Sequence, residues 1–119
     1  MNKVAKGRKG EKIAKEYLSQ LGYSVLAENY RISRYGEIDL ICQEKDILVF
    51  VEVKLRSTLK YGHPTEAIDY RKQCQLTKLA NIFLYRTNRH HQKIRFDIVS
   101  IIKNPNCLVC EIEHIKNAF

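Results

Sequence analysis

The sequence predicts one α/β domain, in which a central mixed sheet of five strands is flanked by helices in the order α-βββ-α-ββ. Apolar residues at helical spacing mark two segments as helices, and runs of β-branched and apolar residues mark the strands. The chain has 119 residues, of which 45% are hydrophobic and 29% are charged. This length and composition suit a single folded core rather than a disordered or multidomain chain.

The first predicted element is a helix over residues 3–21, and Gly22 is its expected stop. The apolar face of this helix consists of Ala14, Tyr17, Leu18 and Leu21. Glu11 interrupts the pattern at the edge of the buried face. A carboxylate at this position is either a functional acid or an ordinary first-turn acid that the helix dipole favours and that reaches water.

The segments that follow have the composition of strands. Residues 23–30 alternate loosely, and residues 31–35 form a polar connection. The strongest strand candidates are residues 36–43 and 47–54, which are rich in apolar and β-branched side chains. Only the short polar segment 44–46 separates them, so we expect the two strands to form an antiparallel hairpin.

The second half of the chain predicts a helix and two more strands. After a loop over residues 55–63, a helix over residues 64–87 begins with Pro64 in its first turn. The apolar face of this helix consists of Ile68, Leu76, Leu79, Ala80 and Phe83. Residues 94–102 form the next strand, and residues 107–115 form a last strand, which we place at an edge of the sheet.

The charge balance favours a polyanionic partner. Lys and Arg number 21 against 13 Asp and Glu, which gives a formal net charge of +8. Such an excess of basic residues attracts nucleic acid. No apolar run approaches the length that spans a bilayer, and no apolar signal-peptide core follows the basic start. We therefore expect a cytoplasmic protein with no membrane partner.

The predicted hairpin places charged residues where a buried strand is expected. Glu52 and Lys54 end the most apolar run of the chain, and a buried carboxylate is costly unless it is paired or binds a metal. If residues 45–46 form a two-residue turn, Asp39 lies opposite Glu52, and both side chains point to the face of Lys54. A register slip of one residue would instead send the two carboxylates to opposite faces.

Two carboxylates that face each other repel, and a divalent cation relieves that repulsion. Hard oxygen ligands suit Mg²⁺ or Mn²⁺, and such an ion can activate water for attack on a phosphodiester. Lys54 on the same face would orient or deprotonate this water, or neutralise the charge of the transition state. The alternative is a simple ion pair of Glu52 and Lys54 at a strand end, with Asp39 as a surface neighbour.

The order of these residues resembles a known pattern. Asp39 followed by Glu52-Val53-Lys54, with Glu11 upstream, resembles the PD-(D/E)xK nuclease motif. The chain also closely resembles the YraN-like family of small bacterial proteins. The residues that carry this second resemblance extend through nearly the whole chain: 7–18, Asn29, Arg31, 36–41, 50–54, Arg56, 62–67 and 95–99.

These resemblances imply a restriction-endonuclease-like fold, and a similarity to archaeal Holliday-junction resolvases in size and motif spacing. They imply metal ligands at Asp39, at Glu52 and at the carbonyl oxygen of Val53. By the same resemblance, Glu11 completes the acidic site through a water ligand, and Lys54 is the catalytic lysine. The implied activity is that of a metal-dependent endonuclease, with DNA, including branched DNA, as the expected substrate rather than RNA.

Basic residues around this site are candidates for phosphate contacts. They are Arg8, Lys9, Arg31, Arg56, Lys60 and Lys72. An ordinary solvated face is the alternative for each of them. Two other functions fit the same sequence: a nucleic-acid-binding module that does not cut, and a structural partner protein whose charged cluster is only an ion pair. Since one active site cannot cut two strands at once, we also expect a two-fold homodimer.

Overall fold

The computed structural model describes residues 3–56, 68–103 and 111–119, without the side chains of residues 3–8 and of Arg56. Two helices and five strands lie within these ranges: α1 (Lys3–Gln20), β1 (Ser24–Ile32), β2 (Gly36–Glu44), β3 (Ile47–Arg56), α2 (Tyr70–Arg86), β4 (Lys93–Ile102) and β5 (Glu111–Ile115). A short 3₁₀ turn, Ser33–Tyr35, joins β1 to β2. This element order confirms the predicted α-βββ-α-ββ arrangement.

The five strands form one mixed sheet in the order β1-β2-β3-β4-β5. Neighbouring strands are antiparallel except β3 and β4, which are parallel. Parallel neighbours need a crossover connection, and α2 lies between these two strands in the chain. β5 lies at an edge, as predicted, and the whole arrangement is consistent with a restriction-endonuclease-like fold.

The helices cover opposite faces of the sheet. Ala14 and Leu18 of α1 pack against one face, in a cluster that we call the α1-side core. Leu76, Leu79 and Phe83 of α2 pack against the other face, in the α2-side core. Burial on both faces explains why β3 is apolar nearly throughout its length. Among the described residues, no helix has the length and apolar character needed to span a bilayer.

The β2–β3 hairpin has the predicted register next to its turn, but the predicted Asp39–Glu52 pair is not formed. Its ladder runs from the Glu44–Ile47 pair to the Leu40–Val51 pair. Lys45 takes a left-handed conformation, with φ of 55°, in the two-residue turn. The predicted end of α1 is also confirmed, because Gly22 has φ of +96°, a conformation that suits glycine.

Three predicted boundaries are wrong. β1 continues to Ile32, two residues into the predicted polar connection, because it stays paired with β2 as far as Gly36. β3 continues to Arg56, two residues into the predicted loop, because it stays paired with β4 as far as Ile102. The second helix begins at Tyr70 rather than including Ile68, because Asp69 is its N-cap and accepts a hydrogen bond from the Lys72 N–H over 2.8 Å. Ile68 is buried nonetheless. The predicted starts of this helix and of β5, at residues 64 and 107, lie outside the described residues.

A buried ion cluster ties β5 and the last residues to β4. Asp97 is 1% exposed and accepts hydrogen bonds from Arg95 Nε at 2.8 Å and from the Asn117 N–H at 3.1 Å. Its other oxygen lies 2.7 Å from His114 Nε2. Burial by itself would raise the pKa of Asp97, but the hydrogen bonds from His114 and Arg95 outweigh it and lower this pKa.

Candidate active site

The candidate site lies where β2 and β3 separate. The ladder between them stops at the Leu40–Val51 pair, although β3 goes on pairing with β4 and β2 goes on pairing with β1. The side chains of β2 also change face at this point: Ile38 belongs to the α2-side core, whereas Leu40 belongs to the α1-side core. Residues two apart in a regular strand share a face, so the strand is turned at Asp39.

Asn29 on β1 explains how the sheet accommodates this turn. The pairs on either side of it, Glu28 with Leu40 and Tyr30 with Ile38, place it opposite Asp39. Its φ of 50° is left-handed, a conformation that asparagine tolerates better than most residues. The two strands therefore turn together at one position.

Asp39 lies in the opening between β2 and β3, just beyond their last backbone pair. Its side chain, instead of its backbone, connects the two strands there. Its Oδ2 accepts a hydrogen bond from the Val53 backbone N–H at 2.8 Å. Burial raises the pKa of Asp39, and the hydrogen bond from Val53 opposes that shift. This hydrogen bond holds the Asp39 carboxylate next to the peptide bond between Glu52 and Val53.

Two more carboxylates lie beside Asp39, one from α1 and one from β2 itself. One oxygen each of Glu11, Glu37 and Asp39 lies within 4.8 Å of the others. Glu11 comes from α1 and lies close enough to the side chains of Asp39 and Asn29 for both to affect its pKa. Burial, followed by the charge of Asp39, raises the pKa of Glu11 to about 7. Such mutual destabilisation is typical of acids that share a cation or a proton.

Glu37 was not among the residues singled out from the sequence. It lies two residues before Asp39 on the same strand, and residues at that spacing point to the same side of a regular strand. This spacing was the available signal. Pairing with Glu52 identifies only the directly opposed position, Asp39, and therefore does not identify Glu37.

Glu52 approaches the same opening from β3. It is not one of the acids within 4.8 Å of one another, but the charge of Asp39 acts on it. Burial, followed by this charge, raises the pKa of Glu52 to about 7, and the charges of Lys72 and Lys54 oppose the shift. Its Oε2 is buried and has no hydrogen-bond partner among the described residues. Its Oε1 lies 3.8 Å from Lys72 Nζ.

These side chains fit a divalent cation. Among the described residues, four carboxyl groups lie at this opening, and the charges of Lys54 and Lys72 act on Glu52. When all four are ionised, the acids outnumber these two lysines. Carboxylate oxygens are the ligands that Mg²⁺ and Mn²⁺ prefer. The unpartnered Oε2 of Glu52 is an acceptor that the protein itself does not satisfy, which is costly for a buried atom.

Only some of the residues predicted to contact phosphate have described side chains. Lys9 on α1 and Arg31 on β1 are exposed, as a phosphate contact requires. Lys72 is half-buried, and its ammonium lies near Glu52 while part of the side chain remains exposed to solvent. The side chains of Arg8 and Arg56, and the whole of Lys60, lie outside the described residues.

Comparisons with known proteins give one consistent result. The family model described as "Uncharacterised protein family UPF0102" matches residues 10–101. A UPF0102 protein of Natranaerobius thermophilus is 54% identical, with 100% of both chains covered. One from Acetivibrio thermocellus is 46% identical over 99% of this chain and 93% of its own length. One from Caldanaerobacter subterraneus is 43% identical over 100% of this chain and 98% of its own length.

Proposed function

We propose that this chain, which belongs to the uncharacterised protein family UPF0102, is a metal-dependent endonuclease that hydrolyses the phosphodiester backbone of nucleic acid. DNA, including branched DNA, is the favoured substrate. The observation that carries the proposal is the meeting of Glu11, Glu37 and Asp39 within 4.8 Å, beside the unpartnered buried oxygen of Glu52.

The carboxylates of Asp39 and Glu52, with the carbonyl of Val53, would hold the metal. Glu11 and Glu37 would complete the acidic shell around it, directly or through water. When bound, Mg²⁺ or Mn²⁺ would supply activation of water and neutralisation of charge on the phosphodiester. The raised pKa of Glu11, about 7, supports a role in holding and releasing a proton at its carboxyl near neutral pH.

Lys54 supplies a positive charge on β3, the strand that carries Glu52. It lies on the same strand face as Glu52, two residues further along β3, and its charge acts on that carboxylate. An ammonium group there would orient the attacking water and stabilise the negative charge that develops on the phosphate. The net charge of +8 supports a polyanionic substrate.

Cleavage assays test this function. Branched, nicked, single-stranded and linear duplex DNA, with RNA counterparts, would be incubated with Mg²⁺ or Mn²⁺ and with Glu52→Gln and Lys54→Ala variants. Glu16→Gln and Lys93→Ala are matched controls, because both residues are exposed and lie outside the acidic cluster. We expect metal-dependent cutting by the wild type and both controls only. Cutting of no substrate, or equal cutting by all variants, would refute the enzyme.

A binding module without catalysis is the second candidate, and the charge of +8 favours it independently of the acids. It predicts nucleic-acid affinity that survives Asp39→Ala and no Mn²⁺-dependent cleavage. The endonuclease, by contrast, should lose both cleavage and metal binding with that substitution. A two-fold homodimer, measured by light scattering, would allow cleavage of both strands of a duplex.

A further inference from the structure

Lys72 enters the site from α2, on the α2 side of the sheet. It lies in the first turn of the helix, where its backbone N–H donates to the capping Asp69 over 2.8 Å. Its side chain is 37% exposed and reaches back to Glu52, whose side chain is only 16% exposed. A long, flexible side chain is thus directed inward from a rigidly capped position.

The two oxygens of Glu52 have different surroundings. Oε1 lies 3.8 Å from Lys72 Nζ, whereas Oε2 is buried with no hydrogen-bond partner among the described residues. An ammonium at this distance compensates part of the carboxylate charge without a close hydrogen bond. One oxygen is therefore compensated by the protein and the other is left for an additional cation.

The charge of Lys72 acts on more than one acid. It favours the ionised form of Asp39 as well as that of Glu52. These are the two carboxylates that the proposed function assigns to the metal. The α2 helix, residues Tyr70–Arg86, contains no acidic residue. The acid next to it in the chain, the N-cap Asp69, accepts a hydrogen bond from the Lys72 backbone N–H over 2.8 Å, whereas the Lys72 ammonium lies near Glu52.

From this geometry, and resting on the proposed function, we propose that Lys72 is a built-in counter-ion that competes with the divalent cation for Glu52 and Asp39. Before the metal binds, its ammonium compensates the two carboxylates and keeps the acidic cluster in place. When the metal binds, like charges repel across a few ångströms, so Lys72 must move away or weaken the bound metal. Lys72 thereby lowers the metal affinity of the site.

The test is Mn²⁺ binding to the metal-free protein without nucleic acid, measured by isothermal titration calorimetry. Lys72→Met removes the charge and keeps an unbranched side chain, and it should tighten Mn²⁺ binding on the order of tenfold. Lys72→Arg keeps the charge and should bind like the wild type. Lys78→Met is the matched control on the same helix, because the Lys78 ammonium lies over the Tyr35 ring, 4.1 Å from its centroid. It should also bind like the wild type.

The outcomes separate this inference from the proposed function. If the wild type binds Mn²⁺ and cuts, but Lys72→Met binds Mn²⁺ equally or more weakly, the counter-ion role is wrong and the endonuclease stands. If Lys72→Met and Lys78→Met tighten binding alike, the effect is one of overall charge, and the specific role is again wrong. If Mn²⁺ binds to none of the proteins, including Lys72→Met, both the inference and the metal-dependent function are overturned.

Discussion

The Val53 backbone N–H donates a hydrogen bond to Asp39 Oδ2 over 2.8 Å, at the point where β2 and β3 no longer pair. In an extended strand, the N–H and C=O groups of one residue face the same neighbour. We therefore expect the carbonyl of Val53 to lie on the same side of β3 as its N–H, the side of Asp39. The carboxylate and the backbone oxygen that the proposed function assigns to one metal would then lie on the same side of the strand.

Asp39→Asn should abolish metal binding and leave the fold intact. The amide oxygen can still accept the Val53 hydrogen bond, and loss of the charge removes repulsion from Glu11 and Glu37. We expect unchanged or slightly raised thermal stability without metal, and no further stabilisation by Mn²⁺. Thermal unfolding with and without Mn²⁺ measures both, and a metal-dependent rise in the variant equal to that of the wild type would contradict the prediction.

Glu37→Gln tests the acid that the sequence did not single out. Because its carboxylate lies within 4.8 Å of those of Glu11 and Asp39, loss of its charge should weaken Mn²⁺ binding on the order of tenfold. Titration calorimetry compares it with Glu16→Gln, a change of the same charge at an exposed position of α1. Equal affinities of the two variants would place Glu37 outside the metal site.

Stability of the metal-free protein should fall as pH rises towards neutrality. The pKa values of Glu11 and Glu52 are raised from 4.5 to about 7 in the folded chain, so the folded state binds protons more tightly than the unfolded state. The stability that these protons provide is complete below pH 4.5 and is lost as pH rises through about 7.

Urea unfolding in the presence of a chelator, at pH values below, within and above this window, measures that dependence. Glu52→Gln should flatten the curve, because the amide does not ionise, whereas Glu16→Gln should keep its slope. Stability that rises with pH across the window in the wild type would show that the two acids are not destabilised by ionisation.

Asp97→Asn should destabilise the fold without affecting metal binding. The substitution removes the buried negative charge that faces Arg95 and His114. Breaking such a buried cluster lowers the free energy of unfolding by about 3 kcal/mol. Urea unfolding would report the loss, and Mn²⁺ titration should match the wild type. Asp46→Asn, in the exposed β2–β3 turn, is the control. A loss no larger than that of the control would show that the cluster contributes little.

The hairpin and its register could be predicted from the sequence because they depend on local features. The short polar segment 44–46 separates two apolar runs, and counting back from its turn gives the observed pairs as far as Leu40 with Val51. The count does not show that the ladder stops there, before Asp39 and Glu52. The start of α2 is set by the side-chain cap of Asp69, whereas the sequence prediction placed Pro64 in the first turn of this helix. The inward direction of Lys72 depends on how α2 docks on the sheet, which no local pattern specifies.

The change of strand face at Asp39 makes the length of β2 as important to the site as its chemistry. Asp39 lies in the opening because five paired positions separate it from the turn, ending with Leu40 opposite Val51. Gain or loss of one residue in that stretch would turn the Asp39 side chain away from Glu11 and Glu52. The sequence would still contain every residue of the site. In distant relatives, a gap within β2 should therefore mark a chain that keeps the fold and has lost the chemistry.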